Sequence, residues 1–186
     1  DSDERMDFSG TPLTNLRWID DSSYLQTRRT GRAVEWLVVD AMSGGTSALF
    51  DPSRMEAALA AMPGVTAEDA SARARSGGLT FNPSRTGTVV TINDDLYFYD
   101  FASNTAARLT STPGTEEVAT FSPNGRLVAF VRDNDLHVVD IGTRREVALT
   151  TNGSPELLNG KLDWLYQEEI YGRGRFRGYW WSPDST

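Results

Sequence analysis

Apolar and polar residues recur along this chain in strand-sized runs separated by Asn/Asp turns, a pattern that predicts β-hairpins. The clearest case is Leu136-His137-Val138-Val139-Asp140, which follows the turn residues Asp133-Asn134-Asp135 and an apolar strand at 127–131. Phe121-Ser122-Pro123-Asn124-Gly125 opens this unit and Val147-Ala148-Leu149-Thr150 closes it. The same order stands 40 residues earlier, with Phe81-Asn82-Pro83, Val89-Val90-Thr91-Ile92, Asn93-Asp94-Asp95, Leu96-Tyr97-Phe98-Tyr99-Asp100 and Arg108-Leu109-Thr110. Pro83 and Pro123, Asp100 and Asp140, and Leu109 and Leu149 all keep that offset of 40. A multi-strand repeat of about 40–45 residues is the signature of propeller blades. Tyr97-Phe98-Tyr99 is expected to pack between blades.

A more divergent unit comes first. Trp18-Ile19-Asp20-Asp21-Ser22-Ser23-Tyr24-Leu25 reads as a blade start and Trp36-Leu37-Val38-Val39-Asp40 as its third strand. Trp181-Ser182-Pro183-Asp184-Ser185 opens a further unit. The reading is therefore an all-β chain holding about three blades of a β-propeller, which closes with roughly four to eight. Three blades leave unpaired strand edges, so the chain is expected to be part of a larger propeller.

Two insertions interrupt the repeat. In the first, at about 51–76, Asp51 can cap a helix with Pro52 at its first position, and Pro63-Gly64 ends it. Thr66-Ala67-Glu68-Asp69 starts a second helix and Gly77-Gly78 stops it. This predicts an αα-hairpin on the rim of a blade, or a docking surface for another domain. The second insertion, at about 157–177, is expected to be short and helical.

Composition narrows the chemistry. A net charge of −8 disfavours nucleic acid and anionic membrane as partners. No apolar run approaches the roughly 18 residues of a membrane span. With 0 cysteines, the chain has no disulfide, thiolate metal site or Cys nucleophile. One His and scattered acids give no metal ligand set, and no cofactor is expected. Asp94-Asp95 and Asp133-Asn134-Asp135 read as turns rather than calcium loops. Asp1 is not an initiator Met, so a processed or truncated N-terminus is expected and an exported origin stays open.

The second insertion carries Asp163-Trp164-Leu165-Tyr166-Gln167-Glu168-Glu169-Ile170-Tyr171. Adjacent residues of an α-helix point about 100° apart, so Glu168 and Glu169 converge on one ligand only if the helix is short or irregular, or if the ligand sits between them. Two such carboxylates repel, and one binds a proton unless a cation is present. An ammonium group supplies that cation with three donors. Trp164, Tyr166 and Tyr171 can lower the local dielectric or offer a π face. On spacing alone, a solvated acidic pair without a role explains the same residues.

That stretch, followed by Arg175-Phe176-Arg177-Gly178-Tyr179-Trp180-Trp181-Ser182-Pro183, resembles the double-Glu region of the dipeptidyl peptidase IV family. Its Gln-Glu-Glu form and Gly-Tyr-Trp-Trp are most similar to bacterial members and to the branch of dipeptidyl peptidases eight and nine. The resemblance implies an N-terminal propeller of about eight blades and a C-terminal α/β-hydrolase domain, absent from this chain, with a Ser-Asp-His triad. It implies a peptide substrate with a free amino end, cut after a second residue of Pro or Ala. It implies Glu168 and Glu169 as the amine-binding pair, a homodimer as the intact enzyme, and a periplasmic or secreted setting with a cytoplasmic one open.

The chain departs from the family in two respects. Many members present an Arg from an extended hairpin in an earlier blade. The hairpin at 89–97 is short and has no Arg, so Arg173, Arg175 and Arg177 stand as substitutes, or as neutralisers of the acids. In addition, no Gly-x-Ser-x-Gly elbow occurs and the single histidine, His137, lies in a strand. This chain by itself therefore assembles no triad. A non-catalytic TolB-like propeller that binds a protein partner is the second reading.

Overall fold

The computed structural model describes residues 16–170 and 176–185, with Gln167 and Glu168 described by their backbone alone. The chain falls into two compact units, Asp1–Phe50 and Asp51–Thr186. Among the described residues are three four-stranded antiparallel sheets, each a meander of consecutive strands, which is the build of a propeller blade.

The first unit holds one sheet: β1 (Arg17–Trp18), β2 (Ser23–Thr30), β3 (Ala33–Asp40) and β4 (Thr46–Ala48). β2 and β3 pair along their full lengths, from Ser23 opposite Asp40 to Thr30 opposite Ala33. Leu25, Val34, Trp36, Leu37 and Val39 are buried.

The second unit begins with α1 (Pro52–Ala60) and α2 (Ala67–Ala74). Asp51 caps α1 by accepting from Ser53 N–H at 2.8 Å, with Pro52 in the first turn. Thr66 caps α2 by accepting from Asp69 N–H at 3.1 Å. Met55, Leu59, Ala70 and Ala74 are fully buried, and an Arg75–Glu56 ion pair links the helices. Asn93 Nδ2 donates to Gly64 O at 3.0 Å, tying the helical hairpin to the rim of the next blade, as the sequence reading expects.

That blade is β5 (Thr80–Phe81), β6 (Gly87–Ile92), β7 (Asp95–Asp100) and β8 (Thr105–Arg108). The following blade is β9 (Glu117–Phe121), β10 (Leu127–Arg132), β11 (Asp135–Asp140) and β12 (Glu146–Ala148). The offset of 40 is structural. Asn93-Asp94 and Asp133-Asn134 are two-residue turns with φ between 49° and 68°, the left-handed geometry of tight hairpins. Leu96 N–H donates to Thr110 Oγ1 at 2.8 Å, and Leu136 N–H to Thr150 Oγ1 at 2.9 Å. Asp40, Asp100 and Asp140 each accept from the N–H three residues on, in Ser43, Ser103 and Thr143, at 2.7–2.8 Å. This bend closes the third strand of all three sheets.

Three boundaries differ from the sequence reading. Asp95 and Asp135 belong to strands, because the left-handed turn needs only the two residues before them. β10 reaches Arg132, which pairs with Asp135 to close the hairpin. Leu149 and Thr150 leave the ladder after Ala148 and bond back to Leu136.

Val89, Leu96 and Leu109 of one blade meet Phe121, Val128, Phe130 and Val139 of the next in a shared core. Burying Phe130 contributes about 1.5–3 kcal/mol. Of Tyr97-Phe98-Tyr99, only Phe98 joins this core, with its ring 6.1 Å from that of Phe121. Tyr97 and Tyr99 are buried on the opposite face, as strand alternation requires.

Candidate functional site

The second insertion is built in three tiers on the blade formed by β9 to β12. Its lower tier collects on Asp135. The carboxylate accepts from Thr150 Oγ1 at 2.7 Å, Gly153 N–H at 3.0 Å and Asn159 Nδ2 at 3.1 Å. These donors, Thr150 foremost, hold the Asp135 carboxyl below its ordinary value. Asn159 N–H also donates to Asn134 O at 2.9 Å. The backbone at Gly153 passes so close to the turn that a Cβ would lie 2.6 Å from Asn134 O.

The middle tier is a neck. Lys161 and Arg177 form an antiparallel bridge, Leu162 N–H donates to Phe176 O at 2.8 Å, and Gly178 N–H donates to Gly160 O at 2.9 Å. The insertion thus leaves and re-enters the blade at one point.

The upper tier carries the acids. Asp163 accepts from Tyr166 N–H at 3.1 Å, a helix-capping contact. A short helical start at 164–165 runs into a π-helical turn, Tyr166–Ile170, that contains Glu168 and Glu169. A π turn bonds i to i+5, holds more residues per turn than an α-helix and lessens the divergence of adjacent positions. The turn is short and irregular, one of the conditions under which two neighbouring acids can converge on a ligand. Glu169 is exposed.

The aromatic frame is looser than the sequence suggests. Trp164 is 70% exposed and Tyr166 44%, so neither is packed down over the turn. Tyr179 belongs to the blade rather than the frame: it is 8% exposed and its hydroxyl reaches Val118 O and Ala129 O. Burial pushes its phenol above the ordinary value, which keeps it a neutral donor. Trp181 Nε1 donates to Thr120 Oγ1 at 3.1 Å. Arg173, Arg175 and Tyr171 lie outside the described residues, and Arg177 serves in the neck.

Two features were missed in the sequence. The extended hairpin among the described residues is β2–β3, with two strands of 8 residues, not the pair after Val89. It carries Arg28, Arg29 and Arg32, all exposed, and Arg28 pairs with Glu35 at 2.7 Å. The available signal was Gly31, which at φ of 63° makes, with Arg32, the two-residue turn between the strands. The second is an ionic cluster inside the third sheet. Arg132 bonds Glu116 at 3.2 Å and also Glu146, and lies over the Phe130 ring at 5.5 Å. His137 stacks on Phe130 and places Nδ1 3.0 Å from Glu146, a blade residue as expected. The Glu116 side chain is fully buried, and its Oε2 has no hydrogen-bond partner among the described residues. Burial pushes its carboxyl up to about 7, against the opposing pull of Arg132.

An open groove of about 660 Å³ on the far face of this blade is lined by Ala129, Leu136, Val138, Tyr179, Trp180 and Trp181, among others. Its apolar lining offers no paired acids for an amine. No helix among the described residues is long and apolar enough to cross a membrane.

Known proteins share this architecture. Residues 90–186 match the model of the dipeptidyl peptidase IV (DPP IV) N-terminal region. A probable dipeptidyl peptidase 4 of Aspergillus flavus is 39% identical over 94 residues, which is 47% of this chain and 12% of that protein. The dipeptidyl peptidase 4 of Trichophyton tonsurans is 44% identical over 71 residues, 38% of this chain and 9% of that protein. The crystal structure of Porphyromonas gingivalis dipeptidyl peptidase 4 aligns with a TM-score of 0.66 and 26% identity, covering 91% of this chain and 24% of its own. The matched stretch spans about a tenth of the length of these curated relatives. The relatives are fungal and the solved neighbour bacterial, so the comparisons single out neither group. With the matched model covering more than half of its length, the chain belongs to the dipeptidyl peptidase IV family, in the family's N-terminal region.

Proposed function

We propose that this chain is the N-terminal propeller segment of a dipeptidyl peptidase, in which Glu168 and Glu169 bind the protonated amino end of a peptide. The observation that carries the reading is the capped π turn on a closed neck, which contains Glu168 and Glu169 in succession. The acids position rather than transfer protons. Charge-assisted hydrogen bonds hold the amine, and the distance from there to the nucleophile of a following hydrolase domain sets the product as a dipeptide. A second residue of Pro or Ala is the expected preference.

The test uses the full-length protein and tripeptide or longer peptide substrates with free or acetylated amino ends. Glu168→Gln and Glu169→Gln are each expected to lower kcat/KM by about ten- to a hundredfold, the loss of one charged hydrogen bond. Acetylation is expected to abolish cleavage. Equal cleavage of free and acetylated peptides would overturn the amine-anchor reading.

A further inference from the structure

Three consecutive residues at the start of β9 reach three different parts of the molecule. Glu116 turns inward to Arg132. Glu117 Oε2 receives Lys161 Nζ at 2.6 Å, on one strand of the neck. Val118 has φ of 53°, a left-handed conformation that a β-branched residue rarely adopts. It sits where the β9–β10 register slips, the geometry of a bulge, and its carbonyl accepts from the Tyr179 hydroxyl. Tyr179 follows the other strand of the neck directly. Its hydroxyl also lies 3.0 Å from Ala129 O and accepts from Thr120 Oγ1 at 3.0 Å. Thr120 in turn accepts from Trp181 Nε1.

Both strands of the neck are therefore locked to one short stretch of β9. One lock is an ion pair and the other a buried hydroxyl. The neck itself leaves little slack. A Cβ at Gly178 would lie 3.1 Å from Lys161 C, and one at Gly160 would lie 2.9 Å from Val131 Cγ2. The bulge strains a valine, and the carbonyl of that strained residue accepts from the Tyr179 hydroxyl.

We propose that Tyr179, through Val118 and Ala129, and Lys161, through Glu117, are positioning residues that fix the orientation of the Glu168-Glu169 turn on the blade. For its effect on catalysis this rests on the amine-anchor reading; for its effect on the loop it does not. The hydroxyl of Tyr179 matters more than its ring, because the ring alone would pack against Ala129 and Val131 equally well as phenylalanine. Lys161 matters through its charge, so arginine there restores the lock and methionine does not.

The test again uses the full-length protein. Tyr179→Phe and Lys161→Met are made singly and in a Glu169→Gln background, with Lys161→Arg as the conservative control. For a free-amine tripeptide substrate, each single variant is expected to raise KM by about tenfold while kcat changes by less than about twofold. In the Glu169→Gln background the same changes are expected to add clearly less than in the unaltered protein, because only Glu168 is left to misplace. Hydrogen exchange of 162–170 is expected to quicken while 127–140 keeps its protection. Lys161→Arg is expected to behave as the unaltered protein. A full additional KM loss on top of Glu169→Gln, or exchange that quickens equally in 127–140, would overturn the proposal. Should Glu169→Gln leave KM unchanged, the amine-anchor reading fails and exchange alone decides: selective quickening at 162–170 sustains the lock, and none refutes it.

Discussion

Asp95 and Asp135 occupy the same place in consecutive blades, the first strand residue after a left-handed turn, yet their carboxylates are used differently. Asp95 stays within its blade and pairs with Arg108 across the hairpin. Asp135 finds Ala148 at the position equivalent to Arg108 and instead gathers Thr150, Gly153 and Asn159, on the path from the blade into the acid-bearing insertion. The neighbouring position diverges as well. Where the first of these blades has Ile92, the second has Arg132 at the centre of a buried charge cluster. The backbone bonds that define the blade are shared, from the turn φ values to the threonine hydroxyl that caps the third strand. The comparison teaches that the template fixes where side chains point and leaves open what they hold. One blade spends these positions on itself, and the other spends them on an insertion.

The widest gap between the two blades is expected in their arginines. The Arg132 side chain is 6% exposed, whereas that of Arg108 is 40% exposed. Arg132→Met leaves the buried Glu116 and the half-buried Glu146 without their cation and is expected to cost about 3–5 kcal/mol in chemical denaturation. Arg108→Met removes a partly exposed cation from the buried Asp95 and is expected to cost less, about 1–2 kcal/mol. Similar costs at both positions would break the contrast.

Next in size is a pH effect confined to the second of these blades. The carboxyl of Glu116 is raised from an ordinary 4.5 to about 7. Between those values the folded protein holds a proton that the unfolded chain releases, so this group's contribution to stability is full below 4.5 and is lost as pH rises through about 7. The loss amounts to at most about 3 kcal/mol. Glu116→Gln keeps an acceptor for Arg132 and is expected to flatten this decline, read as melting temperature against pH from 5 to 8 (~1 kcal/mol or more of relative gain at the upper end). Parallel curves for the two proteins would refute the assignment.

The smallest effect sharpens the opening pair. Asp135→Ala unpartners three donors and is expected to cost about 1–3 kcal/mol while loosening hydrogen exchange at 150–160. Asp95→Ala is expected to loosen only its own hairpin. Equal spread of exchange from both would show that the two aspartates are not specialised.

Much of this was readable in the sequence because it is local or periodic. The offset of 40 predicted both blades, and Asp51-Pro52 and Thr66 predicted the two helices through caps that act within three residues. Sequence also set the acid segment apart as a short helical insertion, and left convergence of its two carboxylates to a short or irregular helix or to a ligand seated between them. What it did not disclose acts over distance or against expectation. Tyr179 finds Val118 across 61 positions, and Glu116 finds Arg132 across 16, neither of which follows a period. Val118 adopts a conformation its side chain disfavours, so propensity points the wrong way. Tyr179-Trp180-Trp181 looked like one aromatic cluster around the acids. The chain there lies outside any strand, and it buries Tyr179 while leaving Trp180 exposed, which separates them.

The neck has a consequence for how such a protein can change. Because Gly160 and Gly178 lie side by side, the insertion above them departs from and returns to the blade through one neck. Lengthening a loop whose ends are already joined adds only about 0.6 kcal/mol per doubling. Residues could be gained or lost above the neck over evolutionary time while the blade beneath went on folding from the same instructions. A lineage could thus revise the reach of its paired acids by small steps, without renegotiating the sheet that supports them.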